Sequence, residues 1–357
     1  MAKADGNRVT PRVRAVGPCP GCGENSTAFF FRGQDQCHGV PGEFTYRRCD
    51  VCGTVFQDPV VISDDLGLCY PEGYPPHVFT ANAEACIEAS RIGRRLRDRL
   101  RQAVVAEVRN AEASSIERLL GRVLALSRRI RLRAFYDFAD GVDEFLPWTK
   151  DDGRALDIGC GAGRLMLSLM RLGWKVEGVE WNSYAAESAI RRTERPVHVG
   201  DFQELHLPQA AYDLVILHHV LEHLHSPRKA LERIAELLAP NGRAVVVYPN
   251  CESIGVRILG HRWFPWEVPR HLVLPSSRAL LDQARKTNLI PLRVRSTGRN
   301  AAAYFSMSRC GEGGINDSRA DWFDWVMHLF ENLCVVAGLP VGEEWIITLR
   351  HGDLRRH

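Results

Sequence analysis

The chain has 357 residues, 45% of them hydrophobic and 25% charged, with a formal net charge of only +3. Those proportions exclude a disordered or fibrous chain, and no run is long and apolar enough for a membrane span. A length well above the usual ~100–200 residues per domain points to two or three folded units.

The first residues, Met1 to Gly17, carry Arg8, Arg12 and Arg14 but no apolar core of a secretory signal, so a cytoplasmic location is expected. In that compartment the 11 cysteines are read as thiols and metal thiolates rather than disulfides. Four of them form a pattern. Cys19-Pro-Gly-Cys22-Gly and Cys49-Asp-Val-Cys52-Gly are paired Cys-x-x-Cys knuckles, separated by strand-like runs at Ala28–Arg32 and Glu43–Arg48. Two residues between cysteines set both sulfurs on one tight turn, and two such turns complete a closed tetrahedral site. A zinc ribbon is therefore expected over residues 1–62, with structural zinc on Cys19, Cys22, Cys49 and Cys52. Phe29, Phe30, Phe31 and Tyr46 either fill this ribbon and face its neighbour or stack on bases.

Residues 63–150 read as a helical connector. Ile92, Leu96, Leu100, Val104 and Val108 recur in steps of four, and a second apolar series runs from Ile116 to Ile130. Arginines crowd the polar faces of both, as a solvated surface or as an attractor of anionic substrate.

The third unit, 151–357, opens on Leu156-Asp157-Ile158-Gly159-Cys160-Gly161-Ala162-Gly163-Arg164, a strand running through a glycine loop into a helix. A dinucleotide fingerprint requires a glycine where Arg164 stands and no acid at the strand end. Instead, the pattern closely resembles motif I of the class I S-adenosylmethionine (SAM) dependent methyltransferases, and the resemblance extends over roughly residues 150 to 297. A second strand, Trp174–Val179, ends at Glu180, placed to bind ribose hydroxyls. A third, Pro196–Val199, is followed by Gly200-Asp201-Phe202, where the resemblance implies contact with adenine. Strands at Tyr212–Leu217 and Asn241–Tyr248 enclose a helix at Pro227–Leu238. Such alternation specifies a Rossmann-like, doubly wound, mostly parallel α/β sheet with ligands beyond the strand ends. SAM is the implied cofactor, held by Asp157, Gly159, Gly161, Gly163, Glu180, Asp201, Phe202 and His218.

The segment His218-His219-Val220-Leu221-Glu222-His223 follows the fourth strand, where the family places residues beside the transferring methyl. It departs from the Asn/Asp-Pro-Pro-Tyr pattern of adenine, cytosine and glutamine amide methyltransferases. Its Leu-Glu-His is similar to the segment of ubiquinone-pathway O-methyltransferases, in which an upstream Glu joins the Glu-His pair at a divalent metal; here that position is His219. His219, Glu222, His223 and the later His271 are the expected catalytic residues, imidazole being able to take a hydroxyl proton near neutral pH. The insertion around 249–274, with Trp263-Phe264-Pro265-Trp266, is expected to cap the acceptor or plug the sheet edge. A helix at Ser276–Thr287, strands at Leu289–Ser296 and Glu344–Leu349, and a bulky apolar helix from Trp322 to Val336 complete the chain. That last helix reads as core, with a homodimer face or membrane-surface contact as the alternatives.

The expected activity is O-methylation of a sugar, glycan or other small-molecule hydroxyl, as in glycan or natural-product biosynthesis. The alternatives are an rRNA methyltransferase gripping RNA with its ribbon, and a non-catalytic scaffold on a SAM fold.

Overall fold

The computed structural model describes residues 9–70, 74, 152–309 and 320–352. Of the helical connector expected over 63–150, residues 71–73 and 75–150 lie outside the described residues, and Ser63–Cys69 forms a short 3-10 helix. By contacts the chain forms two compact units, one of residues 75–216 and one of residues 1–74 with 217–357.

Five short strands lie among the described residues of the first 74: β1 (Val13–Arg14), β2 (Thr27–Gly33), β3 (Phe44–Cys49), β4 (Val55–Gln57) and β5 (Val60–Val61). Then come β6 (Arg154–Ile158), β7 (Lys175–Glu180), β8 (Val197–Val199), β9 (Tyr212–His218), β10 (Leu238–Pro249), β11 (Val273–Leu274), β12 (Leu289–Thr297) and β13 (Glu344–His351). The described helices are α1 (Arg164–Arg171), α2 (Ser183–Thr193), α3 (Pro227–Leu237), α4 (Ile254–Leu259), α5 (Ser277–Lys286), α6 (Ala301–Arg309) and α7 (Trp322–Val336). Strands run in the order β9-β6-β7-β8 in the unit of residues 75–216 and β12-β13-β10 in the other, the Rossmann-like α/β architecture expected from the alternation of elements.

In the unit of residues 75–216, β6 pairs with β7 and β7 with β8 in parallel, while β9 flanks β6 on its other side. Strand order therefore reverses between β6 and β9, the switch point beyond which ligands of such sheets bind. The β6 residues Ala155, Leu156, Asp157 and Ile158 are all buried, which explains a nearly continuous apolar run rather than an alternating one. One carboxylate ties these strands together. Glu177 of β7 accepts from Arg154 of β6 at 2.6 Å, His198 of β8 at 3.1 Å and Tyr212 of β9 at 3.0 Å.

In the other unit, β13 lies antiparallel between β10 and β12, closing the sheet as a hairpin. The ribbon is built into this unit. Its β2, β3 and β4 make a sheet whose fourth strand is β11, with Val273 opposite Phe56 and Leu274 opposite Val55. Gln283 of α5 donates to the carbonyls of Pro20 (2.7 Å) and Gly21 (2.8 Å) in the first knuckle, and Ser276 donates to the Cys52 carbonyl in the second. Phe31, Tyr46, Trp263 and Trp266 share one buried cluster, with Phe31 and Tyr46 stacked at 4.7 Å. Of the two roles open to the ribbon aromatics, Phe31 and Tyr46 thus take packing. Phe29 alone of the four is largely exposed.

The loop between the knuckles provides the deepest anchor. Asp35 accepts backbone N–H groups of Cys37, His38 and Val40 and a bidentate pair from Arg270, at 2.9 and 3.0 Å. Both side chains are fully buried. Burial works against the Asp35 carboxylate, but the Arg270 guanidinium outweighs it and holds the pKa below the ordinary value. Removing one partner of such a pair typically costs ~3–5 kcal/mol, because a charge is left in a dry site. Asp35→Ala is expected to lower unfolding free energy in that range, and Asp35→Leu with Arg270→Met to recover much of it, as read by urea denaturation.

Candidate functional site

The glycine loop grows directly out of β6. Gly159 and Cys160 both donate to the Val179 carbonyl, at 2.8 and 3.1 Å, which folds the loop over the end of β7. Gly159, Gly161 and Gly163 have φ of 70°, 52° and 80°. At Gly163 a side chain would be excluded twice over: the backbone is left-handed, and a Cβ would lie 3.1 Å from Ala189 and Thr193 of α2. Gly163 also caps α1 and, having no side chain, offers no cap to the first N–H groups of that helix. A helix start of this kind favours an anion such as the carboxylate of SAM.

Two buried acids flank the loop. Glu180 ends β7 and accepts from Gly161 N at 2.8 Å and Asn182 N at 3.0 Å, so it shapes the loop. Asp157, 1% exposed, has an oxygen (Oδ2) with no hydrogen-bond partner among the described residues. Burial pushes its carboxyl up to about 8, with repulsion from Glu180 adding to the effect. An orphaned carboxyl oxygen in a glycine cradle fits a polar, cationic ligand, and SAM carries hydroxyls, an amine and a sulfonium. Beyond β8, Asp201 is exposed and accepts from Gln203 N, while Phe202 beside it is buried.

A second cluster lies in the unit that contains the ribbon. His219, at φ 57°, directs Nδ1 to Glu222 at 3.1 Å and Nε2 to Glu344 at 3.2 Å. Burial alone would lower its pKa, but the two carboxylates outweigh it and raise it to about 10. His219 is thus an imidazolium that donates from both nitrogens. His218 is the opposite case: it accepts from Arg299 Nη2 at 2.8 Å, and burial with the neighbouring positive charges holds it neutral. Glu344 also accepts from Arg299, Asn300 and Tyr304, at 2.9, 2.6 and 2.7 Å.

Beyond Glu222 the network continues. His223 Nδ1 lies 3.1 Å from the Arg270 carbonyl and 2.8 Å from Tyr70 OH, which assigns its proton to Nδ1 and leaves the Nε2 lone pair available. Burial, then the adjacent His271, pushes His223 down to about 4, so the ring is neutral. His271 donates from Nδ1 to Pro265 O at 2.7 Å and faces Glu267 with Nε2 at 3.3 Å. Ligand atoms of Glu222, His223 and His271 lie within 4.8 Å of one another. In the ribbon, Cys19 and Cys52 sulfurs are 3.7 Å apart and those of Cys22 and Cys49 3.5 Å.

Residues 130–293 match the family model for the methyltransferase domain. The chain carries a class I SAM-dependent methyltransferase domain. It is 34% identical over 122 residues to a ubiquinone biosynthesis O-methyltransferase of Bradyrhizobium diazoefficiens, covering 31% of this chain and 48% of that one. It is also 29% identical over 195 residues to an uncharacterized 37.1 kDa protein in transposon TN4556 of Streptomyces fradiae, covering 49% and 56%. The chain thus spans about half the length of these curated relatives. A solved S-adenosylmethionine dependent methyltransferase from Mesorhizobium loti is similar at 13% identity and a TM-score of 0.43, with 60% of this chain and 98% of that one covered.

Within the methyltransferase domain the structure gathers the glycines, Asp157 and Glu180 at one loop, and Glu222, His223 and His271 at one cluster. It departs from the His219, Glu222, His223 grouping read from the sequence, because Glu344 occupies His219 Nε2 while His271 arrives from 48 residues downstream of His223. Trp263 and Trp266 are each 1% exposed, and Arg270 is sequestered by Asp35 and Glu267, so these three serve packing rather than contact with an acceptor. Glu344, Arg299, Glu267 and Tyr70 were not legible as site residues. A Glu opening the last strand carries no local signal, and Glu267 was hidden in an aromatic run.

The Asp157 pKa has a testable sign. An unfolded aspartate titrates near ~3.9, so between that pH and about 8 the unfolded chain releases a proton the folded chain keeps, and stability falls as pH rises. Asp157→Asn is expected to raise the melting temperature of ligand-free protein by a margin that widens from pH 4 to 8, reaching ~4 °C or more. The same variant should bind SAM at least about tenfold more weakly by calorimetry.

Proposed function

We propose that this protein transfers the methyl group of SAM to a hydroxyl oxygen of a small-molecule or glycan acceptor, releasing S-adenosylhomocysteine. The carrying observation is the glycine loop with its two buried acids, a site shaped for this donor. Asp157, Glu180 and the loop N–H groups hold SAM, with Phe202 and Asp201 toward the adenine. SAM supplies an electrophilic methyl on a sulfonium, and the protein contributes alignment and a proton acceptor. The oxygen assignment is supported by the histidine-rich cluster and by the similarity to ubiquinone biosynthesis O-methyltransferases.

For proton removal we assign His223, the partly buried neutral ring whose Nε2 carries the lone pair. His271 and Glu267 stand behind it, where the Glu267 carboxylate steadies positive charge on the imidazoles. His219, already protonated between two carboxylates, is a donor and a positioning group rather than the base expected from sequence. With Phe31 and Tyr46 buried, a small acceptor is favoured over RNA. His223→Ala and His271→Ala are each expected to lower kcat by about a hundredfold or more, with SAM affinity within twofold of the parent. Full turnover in both variants would end this assignment.

The convergence of Glu222, His223 and His271, together with a Glu222 oxygen that has no hydrogen-bond partner among the described residues, favours one second reading: a divalent cation that orients the acceptor. Turnover unchanged by EDTA supports the base; loss on EDTA with recovery on added Mg2+, Mn2+ or Zn2+ supports the cation.

We also assign structural zinc to Cys19, Cys22, Cys49 and Cys52. Bonds of about 2.3 Å in a tetrahedron space sulfurs about 3.8 Å apart, close to the distances seen here. Elemental analysis should find one zinc per chain. Cys49→Ser is expected to lose it together with several degrees of melting temperature, whereas metal-free protein of full stability would refute the assignment.

A further inference from the structure

Helix α7 is amphipathic in the wrong sense for a helix on the outside of a globular unit. Its buried positions include Asp324, Glu331 and Asn332, while Trp322, Trp325, Val326, Leu329, Phe330 and Leu333 are exposed by half or more. At 100° per residue those six fall on one continuous stripe, Asp324 and Glu331 lie on the opposite side, and Asn332 borders the stripe beside Trp325. The polar side is fastened. Asp321 and Asp324 form a capping box, Arg309 pairs with Asp324 at 3.4 Å, Glu331 accepts from Glu343 N at 2.8 Å, and Asn332 donates to the Gly298 carbonyl at 3.5 Å. Rolling the helix to hide the stripe would leave these buried groups unsatisfied, at about 1–3 kcal/mol for each.

We propose that a second copy of this chain covers the stripe, with two α7 helices packed about a two-fold axis near Leu329, the midpoint of the helix. The area is right for it. The six side chains expose on the order of 700 Å2, above the ~300–600 Å2 patch of a typical monomer and close to the ~800 Å2 each partner contributes to a standard interface. The stripe carries no charge, so self-association opposes no like charges, and an isologous contact needs only one self-complementary surface. A bilayer is the poorer fit. Helices that lie on membranes place Lys or Arg along the polar face, and from Asp321 to Ala337 there is neither, only Asp321, Asp324 and Glu331 as charges apart from His328.

Sedimentation velocity of the full chain at micromolar concentration should give a mass near twice the 40.2 kDa of one chain. Leu329→Lys, which sets like charges across the axis, should weaken dimerisation by about a hundredfold or more while leaving SAM binding unchanged. Leu329→Cys should give a disulfide-linked dimer on mild oxidation. A wild-type chain that stays monomeric, or a Leu329→Lys chain as dimeric as the parent, overturns the proposal. So does wild-type monomer that floats with phosphatidylcholine–phosphatidylglycerol vesicles when Leu329→Lys does not, which would give the face to lipid.

Discussion

Asp35 and Arg270 stand 235 residues apart in the chain and meet as a bidentate pair with no exposure to water. A guanidinium in that position must be neutralised and hydrogen-bonded, and Asp35, Glu267 and the Cys69 and Val268 carbonyls meet that demand together. Around the pair the ribbon ceases to be an appendage. Its sheet takes β11 as a strand, its aromatics surround Trp266, and its knuckles are held by Ser276 and Gln283. The paired Cys-x-x-Cys turns thus flank the loop that presents Asp35 to Arg270.

That constraint reaches the histidine cluster because Arg270 adjoins His271 and pairs with Glu267. Glu267 in turn faces His271, while the Arg270 carbonyl sets the ring of His223. The histidines thus differ in protonation through their neighbours alone. His219 between two carboxylates is charged; His218 under Arg299 and His223 under a carbonyl are neutral. Similar imidazoles, a few residues apart, differ because their partners come from the segment after β5, the insertion after β10, the turn after β12 and the final strand.

The donor loop follows a different logic. Its parts are local: Asp157, three glycines and α1 are contiguous, and Glu180 arrives one strand later in a parallel pairing. A site assembled from consecutive elements leaves its mark as spacing along the chain, whereas one assembled from distant elements leaves little.

Accordingly, the sequence alone determined the elements, the Rossmann-like class, the glycine loop and its acids, and the paired knuckles. Each of these depends on near neighbours: periodicity, turn chemistry, or two sulfurs on one turn. Tertiary structure alone decided that Glu344 rather than a catalytic partner holds His219, that His271 joins Glu222 and His223, and that Trp263 and Trp266 are core. It also turned α7 over. Trp322 to Val336 reads as a core helix from its apolar content, yet the fold buries Asp324, Glu331 and Asn332 instead. Burial of a polar side chain depends on whether a distant strand or loop offers it a hydrogen bond, and no local pattern carries that information.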